Sequence, residues 1–237
     1  MIREAIILAG GLGTRLRSAV PDLPKCMAPV AGKPFIAYVT DYFSRQGIQK
    51  FIFALGYKSE HFEGFLQSEL PATGYEISVE KEPLGTGGAI RLACSLAKEK
   101  TVLVLNGDTF FGIQVDELSA FHREKQADCT LCLRPMENFD RFGVVEVDED
   151  QRVRSFREKQ FYKSGLINGG VYALDRARFL QEPLPEKFSF ESGWLEKVYT
   201  SRRLFGLVQD NYFIDIGIPE DYERVQREAG ELKTLHN

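Results

Sequence analysis

A short apolar run, Ala5-Ile6-Ile7-Leu8-Ala9, lies close to the start of the chain and runs directly into Gly10-Gly11-Leu12-Gly13-Thr14-Arg15. A compact apolar run bounded by glycines reads as a buried strand. Glycines at its end let backbone N–H groups approach anionic oxygens closely. Cationic side chains follow at Arg15 and Lys25, and then Gly32-Lys33-Pro34. A strand that empties into such a loop is a device for gripping a polyphosphate. Two common versions are excluded by residue identity. The dinucleotide fingerprint G-x-G-x-x-G, started at Gly11, meets Leu16 where the third glycine belongs. The P-loop pattern ending at Gly32-Lys33 has Met27 in place of its first glycine and Pro34 in place of Ser or Thr. Alone, the glycines are equally a tight strand-to-helix turn.

The rest of the chain alternates strand-like and helix-like segments. Apolar runs recur at Phe51–Leu55, Ile77–Val79, Val102–Leu105, Thr130–Leu133, Val144–Val147, Gly170–Leu174 and Tyr212–Ile216. Helical spacing is clearest over Pro34–Gln46, which opens on a proline and is followed by Gly47. Thr86–Lys98 and Pro219–Glu228 are further helices. The pattern predicts an α/β fold, a mostly parallel sheet flanked by helices, with ligands held beyond the carboxyl ends of the strands. The second half is less regular, and Phe142–Phe156 reads as a hairpin turning at Asp148-Glu149-Asp150. The 237 residues suit a single domain: a nucleotide half to about residue 110, a second half over 111–229, and a polar tail over 230–237 that frays.

A net charge of −4 argues against a nucleic-acid partner, so an anionic substrate needs a local basic cluster, which Arg15, Arg17, Lys25 and Lys33 offer. The first residues lack a signal-peptide layout and no run is long enough to span a membrane. The expected location is the cytoplasm, with no membrane partner. Cys129-Thr130-Leu131-Cys132 has metal-like spacing, but positions three apart on a strand face opposite sides, so zinc or redox work is not expected there. His61, His122 and His236 fall outside every motif and read as surface or boundary residues.

Two aspartates stand out. Val102-Leu103-Val104-Leu105-Asn106-Gly107-Asp108 carries a carboxylate off the end of a hydrophobic strand, either as an ordinary turn or as a ligand for Mg²⁺. Asp215 sits among the apolar residues of Phe213–Ile218, where an aspartate is costly unless paired or metal-bound. A second glycine-rich run, Glu82-Pro83-Leu84-Gly85-Thr86-Gly87-Gly88-Ala89, opens a helix. Glu158-Lys159, in Arg157-Glu158-Lys159, reads by itself as a surface ion pair.

Taken together, Leu8–Leu16, Pro24-Lys25, Pro29–Pro34 and these later runs resemble the sugar-1-phosphate nucleotidyltransferases, the nucleoside-diphosphate-sugar pyrophosphorylases, over most of the chain. The resemblance implies a Rossmann-like mixed sheet. The chain ends too soon for the C-terminal left-handed β-helix that many longer relatives carry. It implies that Leu8, Ala9, Gly10, Gly11, Gly13, Thr14, Arg15, Asn106 and Gly107 bind the nucleotide, with Arg15 on the leaving β- and γ-phosphates. Leu84, Gly85, Thr86 and Gly88 would line the nucleobase pocket. Lys25 would bridge the α-phosphate and the attacking phosphate, and Asp108 with Asp215 would hold the catalytic Mg²⁺. On the sugar side, Lys159 would bind the sugar phosphate, Glu158 and Asn168 its hydroxyls, Gly143 its backbone-facing edge, and Glu191 a further hydroxyl. The sequence departs from the family at Gln160 and Cys26, where prolines are common.

The implied reaction joins a nucleoside triphosphate to a sugar 1-phosphate, giving a nucleotide sugar and pyrophosphate, with Arg15, Lys25 and Asp108 as the catalytic residues. Gly10, where uridylyltransferases commonly have Ala, leaves room for a purine, although thymidylyltransferases also have Gly. The run Pro24–Phe35 in a short chain is most similar to the family branch that transfers a guanylyl group to D-glycero-α-D-manno-heptose 1-phosphate. Mannose 1-phosphate guanylyltransferase and N-acetylmuramate 1-phosphate uridylyltransferase remain open, as does a non-catalytic nucleotide-sugar-binding regulator. A nicotinamide-dependent dehydrogenase is disfavoured by Leu16. The sugar, any feedback inhibitor and the oligomeric state, a homo-oligomer included, are not fixed by the residues.

Overall fold

A computed structural model describes residues 1–10, 20, 23–56, 62–70 and 74–234. Strand β1 (Glu4–Leu8) lies at the centre of a mixed sheet. The chain then forms a small ribbon, β2 (Pro29–Val30) with β3 (Lys33–Pro34), and enters helix α1 (Phe35–Arg45). Strand β4 (Lys50–Leu55) pairs parallel with β1, and after helix α2 (Glu63–Glu69), β5 (Gly74–Val79) pairs parallel with β4. Helix α3 (Gly85–Cys94) carries the chain back, and β6 (Thr101–Asn106) pairs parallel with the other edge of β1. The parallel core order is therefore β5-β4-β1-β6.

Side chains alternate across this core as the strand period requires. Ile7, Phe51, Phe53, Leu103 and Leu105 pack with the apolar stripe of α1 on one face, while Ile6, Ile52, Val102 and Val104 pack with Ala89, Ile90 and Ala93 of α3 on the other. Near-continuous apolar strands thus follow from a sheet covered on both sides.

The second half extends the same sheet in a different sense. After β7 (Thr109–Phe111), α4 (Val115–Glu124) and β8 (Cys129–Phe139), the hairpin of β9 (Val144–Val147) and β10 (Val153–Arg157) forms as the sequence predicts. The long β11 (Tyr162–Asp175) runs antiparallel to β6, β8 and β9. Its register with β8 shifts between Asn168 and Tyr172, where Gly170 has a φ of 71°. Helix α5 (Arg176–Leu180), a π-helical turn (Glu191–Leu195) and the short α6 (Glu196–Val198) lead to β12 (Leu204–Val208), parallel to β8. Strand β13 (Phe213–Asp215) pairs antiparallel with β7, and α7 (Pro219–Arg227) follows.

Two local expectations change and a third holds. The tail expected from residue 230 is instead helix α8 (Ala229–Thr234), with Leu232 buried in the core. His122 is 5% exposed rather than superficial, because its ring fills α4's buried face and meets the Thr130 hydroxyl at 2.9 Å. Cys129 and Cys132 do face opposite sides, one in each hydrophobic cluster.

Candidate active site

The chain moves outward from β1 through β4 and β5 and then returns to the opposite edge of β1, so a crevice opens where β1 and β6 diverge. The Gly107 N–H donates to the Leu8 carbonyl at 2.9 Å and closes its floor. A cleft of about 780 Å³ lies above. Leu8, Ala9 and Gly10 line it from the end of β1, Asn106 and Asp108 from the end of β6, and Gly85 and Thr86 from the start of α3. Lys25 and Cys26 enter from a single 3₁₀ turn, where the buried Cys26 side chain packs against the Ala9 carbonyl. Gly11, Gly13, Thr14, Arg15 and Arg17 lie outside the described residues. Lys33 is exposed in β3 and does not line the cleft.

Two expectations about glycines need different physical reasons. A Cβ on Gly10 would come to 2.8 Å from the Gly56 nitrogen, so the glycine is required by the close approach of the chain leaving β4. In the second glycine-rich run, Leu84 and Gly88 do not line the cleft. A Cβ on Gly88 would meet the Glu186 carbonyl at 2.5 Å, and one on Gly87 would meet the Phe188 ring at 2.1 Å. The loop is small because the segment 186–190 lies against it. That segment is fastened by Phe188 N–H to the Leu84 carbonyl, Gly87 N–H to the Phe188 carbonyl, and Phe190 N–H to the Thr86 hydroxyl, each at 2.9 Å.

Lys25, Asp108 and Asp215 are brought together. Asp108 sits in the turn between β6 and β7, and the β7–β13 pairing sets Asp215 opposite Thr109. The Lys25 ammonium donates to Asp108 Oδ2 at 2.7 Å. The Gly217 N–H donates to Asp215 Oδ1 at 2.7 Å, and Arg141 Nη2 lies 3.9 Å from Asp215 Oδ2. Burial raises the Asp215 carboxyl above its ordinary range, and the neighbouring Asp108 charge adds to that. Two carboxylates crowded in a partly desolvated site, with oxygen donors only, form a donor set that suits a hard divalent cation completed by phosphate oxygens. Among the described residues there is no cluster of three or more His, Cys, Asp or Glu ligands.

Beyond Asn106, which lines both, lies a second cavity of about 260 Å³ that Asp215 also lines. Gly143, Glu158, Lys159, Asn168 and Glu191 all line it. The shift in β11 leaves Asn168 free of the ladder's strict alternation, and the side chain turns to neighbours. Its Nδ2 donates to the Tyr172 hydroxyl at 2.8 Å and to Glu191 Oε1 at 3.1 Å, and Tyr172 donates to the same Glu191 oxygen at 3.0 Å. Burial and the Glu191 charge push the Tyr172 phenol well above its ordinary value, so it remains a donor. The cavity thus offers carboxylates and an amide for hydroxyl groups, beside the Lys159 ammonium for an anion.

Two cavity residues escape sequence reasoning. Glu80 follows β5 directly and lines the nucleotide-side cleft, where its Oε2 accepts the Leu84 N–H at 2.6 Å. Glu196 lines the second cavity from the end of the π-helical turn. Glu80 carries the same signal as Asp108, a carboxylate at the carboxyl end of a parallel strand, but the run Glu80-Lys81-Glu82 looks like a solvated face.

Comparisons with known proteins bear on this arrangement. The chain is 47% identical over 225 residues to D-glycero-alpha-D-manno-heptose 1-phosphate guanylyltransferase of Aneurinibacillus thermoaerophilus, covering 95% of this chain and 97% of that protein. It is 46% identical over 219 residues to the protein of the same name from Campylobacter jejuni, covering 92% and 96%. The crystal structure of HddC from Yersinia pseudotuberculosis superposes with a TM-score of 0.87 at 35% identity, over 96% of this chain and 100% of that one. The same protein has been solved in complex with GMP-PN, with the same score and identity. The pattern that defines the nucleotidyl transferase family matches residues 4–231, and with two cavities that share Asn106, one lined by Lys25 and Asp108 and the other by Asp215, the chain belongs to that family.

Proposed function

We propose that this nucleotidyltransferase joins GTP to D-glycero-α-D-manno-heptose 1-phosphate, giving GDP-heptose and pyrophosphate. The observation that carries the nucleotide assignment is Glu80. A carboxylate only accepts hydrogen bonds, and guanine presents adjacent N1–H and N2–H₂ donors on one edge. Uracil and thymine present a single ring N–H between two carbonyls, so a carboxylate there repels them. The activity of the two guanylyltransferase relatives and the GMP-PN complex of HddC agree with that reading. In this account the first half of the chain holds the nucleotide and the second half the sugar phosphate, within one domain acting in the cytoplasm.

In the reaction an oxygen of the sugar phosphate attacks the α-phosphorus in line and pyrophosphate leaves. Holding the two partners in register and neutralising their charge supply most of the rate. A phosphate monoester is already ionised near neutral pH, so no general base is needed. Lys25, which lines the nucleotide-side cleft and bonds Asp108, would lie between the two phosphates, and Lys159 would fix the attacking phosphate. Arg15 is assigned to the leaving phosphates. Asp108 and Asp215 would hold Mg²⁺. The bound ion would draw charge from the α-phosphate oxygens. Lys25 fixes the Asp108 carboxylate through its 2.7 Å bond.

The test is pyrophosphate release with Mg²⁺, crossing the four common NTPs and dTTP against heptose, mannose, glucose and N-acetylmuramate 1-phosphates. Release confined to GTP with the heptose phosphate is the expected result. Release with another pair replaces the substrate. Tight nucleotide-sugar binding without release makes the protein a regulator.

A further inference from the structure

The wall of the second cavity contains the π-helical turn Glu191–Leu195, closed by a Glu196 N–H that donates to the Glu191 carbonyl. In an α-helix, with 3.6 residues per turn, the fifth residue on would point roughly 140° away from the first. The wider i→i+5 turn brings the two to about 50° apart, on the same side, and such turns are rare and appear frequently at functional sites. Here Glu191 and Glu196 consequently both line the cavity. Trp194 and Leu195, at 1% and 0% exposure, lock the turn into the core behind it.

The two carboxylates are not equivalent. Glu191 Oε1 is taken by Asn168 and Tyr172, whereas the Glu196 carboxylate makes no hydrogen bond or ion pair among the described residues. Glu196 is exposed, yet some desolvation raises its carboxyl above its ordinary range, and the charges of Glu158 and Glu191 raise it further. A carboxylate held in that company is stabilised by donors, and the donors a sugar brings are its hydroxyls. A heptose 1-phosphate carries one hydroxyl more than a hexose 1-phosphate, on its longer exocyclic chain.

We propose that Glu196 is a specificity-determining residue of the sugar site. It accepts a hydrogen bond from the terminal exocyclic hydroxyl that a heptose has and a hexose lacks, while Glu158, Asn168 and Glu191 take the hydroxyls common to both sugars. The π-helical turn is the device that adds this acceptor to the cavity. The inference rests on the heptose 1-phosphate reading above.

The experiment compares the wild type with Glu196→Ala and Glu196→Gln at saturating GTP. Heptose 1-phosphate is titrated as substrate, and mannose 1-phosphate as substrate or competitive inhibitor. In Glu196→Ala the KM for the heptose phosphate should rise about 10-fold or more, the size of one lost hydrogen bond to a charged group. Glu196→Gln, which keeps one acceptor, should fall between. The constant for mannose 1-phosphate, the KM for GTP and the melting temperature should stay within about 2-fold or a few degrees of wild type. An unchanged heptose KM, or equal losses for both sugars, overturns the inference while leaving the heptose reading intact. Failure of the wild type to form GDP-heptose overturns that reading first, and this one with it.

Discussion

At the residue scale, three carboxylates define the site: Asp108, Asp215 and Glu80. Asp108 and Asp215 were legible because each breaks an apolar run, and a carboxylate there needs a partner. The meeting of Asp108 with Asp215 was expected only through the family resemblance and not from the residues themselves, since it depends on the β7–β13 pairing across a hundred residues of chain. Asp108→Ala should lower kcat by about 10²–10³-fold or more and abolish the response to added Mg²⁺, with a far-ultraviolet spectrum like the wild type's. Near-normal turnover in that variant would remove the metal assignment. Glu80 was hidden by its charged neighbours and emerges only once β5 is placed in the sheet. Glu80→Gln should raise the KM for GTP about 10–100-fold, because one strong acceptor becomes a mixed donor and acceptor. The kcat should change much less, and equal losses for every NTP would show that Glu80 only supports the loop through Leu84.

At the scale of elements, the alternation of apolar runs with helical stretches correctly indicated the parallel core and the β9–β10 hairpin. The glycine-rich start of α3 was legible as a loop but not in its purpose. A single sequence cannot reveal that the segment 186–190 folds back onto it, and so Gly87 and Gly88 look like ligand-facing glycines when they accommodate Phe188 and Glu186. That contact links the nucleotide-side loop to Glu191 through a few backbone hydrogen bonds. Gly87→Ala should displace the Phe188 ring, costing about 1–3 kcal/mol of stability in urea unfolding. It should also raise the KM for both substrates, since both walls shift. A loss of stability with both constants unchanged would show that the segment does not set the cavities.

At the scale of the whole molecule, the two halves share one sheet, because β11 pairs directly with β6. Antiparallel continuation was not readable from periodicity, which does not encode strand direction. Thermal unfolding should accordingly be a single transition, with calorimetric and van 't Hoff enthalpies equal; two resolved transitions would separate the halves. Acid stability has a specific contributor. Burial lowers the His122 imidazole from its ordinary 6.5 to about 4, so between those values the unfolded chain binds a proton that the folded chain does not. Stability should therefore fall as pH drops through this window, by up to about 3 kcal/mol from this residue, and level off below it. In His122→Gln the same interval should show a shallower slope, measured by urea unfolding at each pH.

The most direct measurement of the central claim is ³¹P NMR of the wild-type protein with GTP, heptose 1-phosphate and Mg²⁺. The account predicts the paired resonances of a GDP-sugar appearing in equal amount with pyrophosphate, and none when UTP or dTTP replaces GTP. Release of inorganic phosphate without a GDP-sugar, or a nucleotide sugar formed from UTP or dTTP in preference to GTP, would contradict it.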